Sequence, residues 1–295
     1  MRERLRILLP MNKLTLSRRA AVVRALADGA SARAVARITG TDKDTVLRIL
    51  VEVGEFCSTY QNIVLRNLPC TRVEADEIWS YCGAKEANKT NDGQGDLWTY
   101  TAICADTKLI FSWMVGSRSS VTTHAFMHDM ASRLKNRIQL STDGLSWYKG
   151  AVESAFGWNG CDFAQLQKKY ATPDGISGRF SAPSICVGAD KEIVMGNPDL
   201  DFCSTSYVER SNLQLRMNNK RFTRSSNAFS KKAENHAHAV SLAFMVYNFV
   251  RAHGTLTKNA KGIKTTPAMA AGLTDRVWSV EDILERMEPS YQIAA

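Results

Sequence analysis

Residues 73–82 read V-E-A-D-E-I-W-S-Y-C, and this stretch decides the fold. Its β-branched and aromatic residues mark a strand. Asp76 sits inside that pattern, where aspartate is disfavoured and costly to bury unpaired. Its neighbour Glu77 must point to the opposite face, because side chains alternate along a strand. An edge strand with two solvated acids is the plain alternative to a site.

Working outward, 83–95 is polar and turn-rich. Leu97–Cys104 reads as a second strand, Asp106-Thr107 as a turn and Leu109–Val115 as a third strand, so an antiparallel meander is expected. Val121–Leu134 has a helical period. Ile138–Thr142 follows as a short strand, Ser146–Phe156 as a helix and Phe163–Leu166 as a fifth strand. Thr172–Thr205 shows little periodicity and reads as a long loop or insertion. Two helices, Tyr207–Asn218 and Ser230–Ala252, close the region. A Pro-initiated turn of helix, T-P-A-M-A-A-G, and a last amphipathic stretch near Val280–Met287 complete the tail. This order predicts an α/β fold: a ribonuclease-H-like mixed sheet with flanking helices. In open α/β sheets chemistry gathers at strand ends.

Upstream of the strand the chain is helical and basic. Leu16–Ala27 carries Ala20, Val23, Leu26 and Ala27 on one face, Ser31 is an N-cap candidate for Ala32–Thr39, and Gly40 makes a turn. A third helix starts at Thr41 or Asp42 and runs to about Gly54, with Val46, Ile49, Leu50 and Val53 inward. This is a helix-turn-helix pattern, whose third helix would offer Lys43, Thr45 and Arg48 to a major groove. A plain three-helix bundle with a solvated basic face is the alternative. The expected division is an all-α helix-turn-helix domain over 1–56, a linker over 57–71, a catalytic domain over 72–255 with its insertion near 172–205, and a tail over 256–295.

The 295 residues carry a formal charge of +9, with an isoelectric point near 9.2, which favours a polyanionic partner. No apolar run is long enough to span a bilayer, so no membrane partner is expected. Seven cysteines are scattered without a C-x-x-C pair, which argues against structural zinc and for reduced thiols in a cytoplasmic protein.

Two further acids join Asp76 as candidates. Asp143, in S-T-D-G, would end the fourth strand beside the first, although Asp-Gly alone is simply a turn signal. Glu209, in S-Y-V-E-R-S-N-L, opens a helix, where Ser206-x-x-Glu209 also fits a capping box. Arg210 follows Glu209 directly. Asn212 and Arg216 extend its helical face, and Lys220, Arg221 and Arg224 continue a basic strip suited to a phosphate backbone. Three carboxylates form a sensible set for a pair of hard divalent cations. His124 and His128 have i, i+4 spacing but lack a third zinc ligand.

Taken together, D-E-I-W-S-Y, G-D-L-W-T-Y-T-A, A-D-T-K-L, L-S-T-D-G, Y-V-E-R-S-N-L, N-K-R-F-T-R, S-K-K-A-E-N-H-A-H-A-V, F-M-V-Y-N-F-V-R-A-H and T-P-A-M-A-A-G resemble blocks of the insertion-sequence-one (IS-one) family of bacterial transposases. The resemblance runs from about Asn12 to Ile283. It implies a DDE transposase whose three acids match Asp76, Asp143 and Glu209. It also implies Mg²⁺ dependence with Mn²⁺ able to substitute, double-stranded DNA as partner (terminal inverted repeats and target), a homo-oligomer on paired ends, and a nucleoid-associated location. Shorter members carry a cysteine zinc finger ahead of the helix-turn-helix; this chain does not. A non-catalytic DNA-binding regulator or domesticated transposase, or a ribonuclease-H-like nuclease without strand transfer, are the rival expectations.

Overall fold

The computed structural model describes residues 14–171, 185–223, 227–258, 262 and 264–288. Strand β1 (Arg72–Cys82) lies inside a six-stranded mixed sheet of order β3-β2-β1-β4-β5-β6. β2 (Gly95–Cys104) pairs with it antiparallel, and β3 (Ile110–Gly116) continues the meander on β2. On its other side β4 (Gln139–Asp143) runs parallel to β1, and β5 (Asp162–Ala171) parallel to β4. The α/β class and a helix-flanked mixed sheet are thus present, in an order compatible with the ribonuclease-H-like expectation.

Alternation along β1 sorts its side chains between two helical layers. Ile78 joins Ile103 and Ile110 against Val208 and Leu215 of α6 (Ser206–Asn218) and Val240 and Phe244 of α7 (Ala233–Met245). Val73 and Ala75 face the other way. They share a core with Phe126 and Met130 of α4 (Ser120–Ser132) and Tyr148 and Val152 of α5 (Trp147–Phe156). Both layers are apolar and include aromatic side chains, so the sheet's position is set by burial on each face.

The N-terminal helices are α1 (Leu16–Ala27), α2 (Ala32–Thr39) and α3 (Lys43–Val64). Ser31 Oγ accepts from Ala34 N–H at 3.2 Å, and Asp42 accepts from Asp44 and Thr45 N–H groups at 2.8 and 3.3 Å. The third helix does not stop near Gly54. It runs on for ten residues, so of 57–71, open to reading as a helical continuation or a linker, 57–64 are helix. A Cβ on Gly54 would sit 2.5 Å from His238 Cβ. Glycine is there because α3 and α7 touch at that point, not because the helix ends. Ala20, Val46, Leu50 and Val53 share one core with Leu242, Met245 and Phe249, so these helices are packed onto the body of the protein.

Two other expectations change. Part of the 172–205 insertion is strand: β6 (Ile185–Met195) pairs antiparallel with β5, while 172–184 lie outside the described residues. β6 is largely exposed, so burial imposes no period-two pattern on its sequence. The helix expected over Ser230–Ala252 starts at Ala233 and gives way to a π turn over Val246–Val250, closed by Arg251 N–H to Val246 O at 2.9 Å. The widened turn carries Asn248 inward, where it accepts from Ile110 N–H at 3.0 Å and donates to Ile110 O at 2.7 Å. The same amide donates to Gln61 Oε1 at 3.3 Å, and Gln61 donates to Ser241 O at 3.2 Å. Among the described residues no helix is long and apolar enough to cross a membrane.

Candidate metal centre

The β1–β4 register brings the first two acids together. Ala75 lies opposite Thr142, so the next step along both strands sets Asp76 beside Asp143. Carboxylate oxygens of Asp76, Glu77 and Asp143 all lie within 4.8 Å of one another. The third member is therefore Glu77, which the sequence placed on the far side of the strand. Its hydrogen bonds are indeed on that side: Arg118 donates to Oε1 through Nε (2.9 Å) and Nη2 (2.7 Å), and Tyr148 donates to Oε2 at 2.9 Å. Its head still reaches Asp143 because Asp143 ends its strand and is not confined to one face.

Glu209 stands beside this group rather than within it. It occupies the first turn of α6, paired with Lys168 of β5 and bonded by the Thr205 hydroxyl. The capping box does not form, because Thr205 and not Ser206 is the N-cap residue. Instead Glu74 Oε2 accepts the N–H groups of Tyr207 and Val208 at 2.7 and 3.0 Å, which pins the start of α6 to β1. Asn212, one turn on from Glu209, donates to Asp76 Oδ2 at 2.9 Å. Gln165 donates to the carbonyls of Asp143 (2.8 Å) and Leu145 (3.1 Å) and so fixes the turn that presents Asp143.

Burial pushes the Asp76 carboxyl up to about 7, reinforced by the charges of Glu77, Asp143 and Glu209 and opposed by the Glu77 N–H. Glu74 is likewise pushed up to about 7 by burial, against its two backbone donors. Asp143 and Glu77 are raised by burial; Leu145 N–H opposes this at Asp143, and Arg118 and Tyr148 oppose it at Glu77. Each carboxylate prefers a positive charge beside it, and few donors supply one. Asn212 Oδ1, buried next to Asp76, has no hydrogen-bond partner among the described residues. An all-oxygen donor set with unmet charge fits a hard divalent cation. Glu77 is already matched by Arg118 and Tyr148, which leaves Asp76 and Asp143 as the carboxylates of the cluster freer to meet a cation.

The remaining candidates are spread more widely. Lys43 and Arg48 are exposed on α3, near Asp44 (3.1 Å) and Glu52 (3.9 Å), and Thr45 is half-buried in its first turn. Arg210 and Lys220 are exposed and Arg216 is half-buried. Arg221 departs from the expected strip. It turns inward and donates to Ser230 Oγ at 2.9 Å, and burial lowers its pKa. Arg224 lies outside the described residues. His124 and His128 bond Ser120 O (2.8 Å) and Ser154 Oγ (3.0 Å), and neither joins a ligand cluster among the described residues. Sequence reasoning missed Glu74, Arg118, Tyr148 and Lys168. Only Glu74 left a signal, two residues before Asp76 on the same strand face.

No protein-family model matches this chain, and no curated protein matches it.

Proposed function

We propose that the protein is a DDE-type DNA transposase of the insertion-sequence-one kind, a polynucleotidyl transferase on a ribonuclease-H-like sheet. One observation carries the reading: Asp76 and Asp143 lie abreast on adjacent parallel strands with their carboxylates in reach of one another, and Glu209 stands beside them on the helix that crosses β1. Bound divalent cations, Mg²⁺ with Mn²⁺ able to substitute, would activate an attacking oxygen and stabilise a leaving one. Asn212 orients Asp76, and Lys168 with Thr205 orients Glu209. Arg210, directly after Glu209, and Lys220, beyond the far end of the same helix, present charge to the phosphate backbone.

The reaction has two displacements. Water attacks the phosphorus at the element's end; the 3′ oxygen leaves, takes up a proton and becomes a hydroxyl, and a 5′ phosphate remains. That hydroxyl then attacks a target phosphodiester, forming one P–O bond as another breaks and a target 3′ hydroxyl departs. Recognition of the ends is assigned to α1–α3 as a helix-turn-helix, with Lys43, Thr45 and Arg48 on the reading helix.

Asp143→Asn tests the reading. Cleavage and strand transfer should both vanish while binding of duplex DNA persists. Wild-type activity in that variant removes Asp143 from the site. Cleavage by the wild type without end joining would make the protein a nuclease, and neither activity would leave a DNA-binding regulator.

A further inference from the structure

A cavity of about 710 Å³ opens between the N-terminal helices and the far end of α6, in the size range of true ligand sites. Leu26, Leu47, Leu50 and Leu242 give it an apolar floor. Around it stand five cations from separate parts of the chain: Arg33 on α2, Lys43 on α3, Lys220 and Arg221 just after α6, and Lys231 before α7. No carboxylate lines it among the described residues. Lys43 pairs with Asp44, but the other four have no acid within ion-pair distance among the described residues. Arg221 is held against Ser230 with its charge partly desolvated. Five like charges around one concavity repel unless an anion joins them.

The cavity is built, not incidental. Gly29, at φ +87°, turns α1 into α2 where an added Cβ would lie 3.0 Å from the Asn218 carbonyl. The α1–α2 turn thus sits directly on the C-terminal end of α6. Glu209 lies in the first turn of that same helix. At about 1.5 Å per residue, the helix from Glu209 to Asn218 spans about 14 Å, or roughly four base-pair steps of duplex.

We propose that this cleft binds the phosphodiester backbone of the same DNA duplex whose scissile bond lies at Asp76 and Asp143. Arg33 and Lys231 are two new contacts that join the N-terminal helices to α6 in one grip. The inference rests on the DNA-directed reading above and names where the DNA leaves the metal centre.

The test uses the full chain in EDTA, so that no cleavage occurs. Affinity for a labelled random-sequence duplex is measured across a salt series by fluorescence anisotropy. Replacing both exposed residues, Arg33→Gln with Lys231→Gln, should lower the slope of log K against log salt by about two, close to one per lost phosphate contact. Lys135→Gln, at the opposite end of β4, should leave the slope unchanged. An unaltered slope in the double variant overturns the proposal. So does a cleft that takes only a small anion: tripolyphosphate would then raise the melting temperature of the wild type and not of the double variant, with DNA binding equal in both. A lost slope with wild-type protein that never cuts DNA would keep the cleft and sink the enzymatic reading. An intact slope with active wild type would do the reverse.

Discussion

Two regions bury polar groups against α7 and α6, and they treat them in opposite ways. Around Asn248 the buried amides are satisfied: both backbone groups of Ile110 are matched, and Gln61 closes the network onto α3 and Ser241. Around Asp76 the carboxylates crowd together, and their pKa values rise because burial and mutual repulsion outweigh the donors present. A satisfied buried network holds a fold; a buried cluster with unmet charge costs stability until a cation joins it. The first region therefore serves the architecture, and the second offers carboxylates that could hold a cation.

Removing a ligand carboxylate should give the largest contrast. Asp76→Asn should abolish DNA cleavage and yet raise the melting temperature of the metal-free protein, because it deletes a half-buried charge near Glu77 and Asp143. A lower melting temperature would mean that Asp76 is structural. Asn248→Ala should act in the other direction, costing about 3 kcal/mol in urea unfolding by stranding the Ile110 groups and Gln61. A cost near zero would show that the π turn relaxes freely.

Gly54→Val should cost roughly 1–3 kcal/mol, since the new side chain overlaps His238 where α3 meets α7. A neutral result would mean that the two helices can part. The pH dependence comes next in size. Asp76 and Glu74 are raised from 3.8 and 4.5 to about 7, so the folded state holds more protons than the unfolded chain between about pH 4 and 7. Their contribution is present below the unfolded values and is lost as pH rises through about 7. Metal-free stability should fall across that window by about 1.4 kcal/mol per pH unit for each proton, and saturating Mg²⁺ should flatten the fall. Lys168→Met should matter least to stability, by under about 1 kcal/mol, because its pair with Glu209 is partly exposed.

Much of this was legible in local pattern. α1 and α2 begin and end where their caps and periodicity place them, and the meander follows from turn residues between β-rich runs. Asp76 stood out as an acid inside a strand, and Asp143 as a strand end. What stayed hidden depends on contacts distant in sequence. Gly54 looks like a helix stop until His238, far along the chain, is seen against it. β6 carries no alternation because neither of its faces is well buried. Arg118, Tyr148 and Lys168 have no signature of their own; only the fold brings them to Glu77 and Glu209. Glu77 itself was visible, but strand alternation alone sent it to the wrong side of the question.

The central claim is that Asp76 and Asp143, with Glu209 beside them, form one cation site. Titrating Mn²⁺ into wild type and into Asp143→Asn by calorimetry at pH 7, in two buffers of different protonation enthalpy, tests it most directly. Wild type should bind Mn²⁺ with release of protons from the raised carboxyls, and the variant should lose both the binding and the release. Equal Mn²⁺ affinity in the two proteins would contradict it.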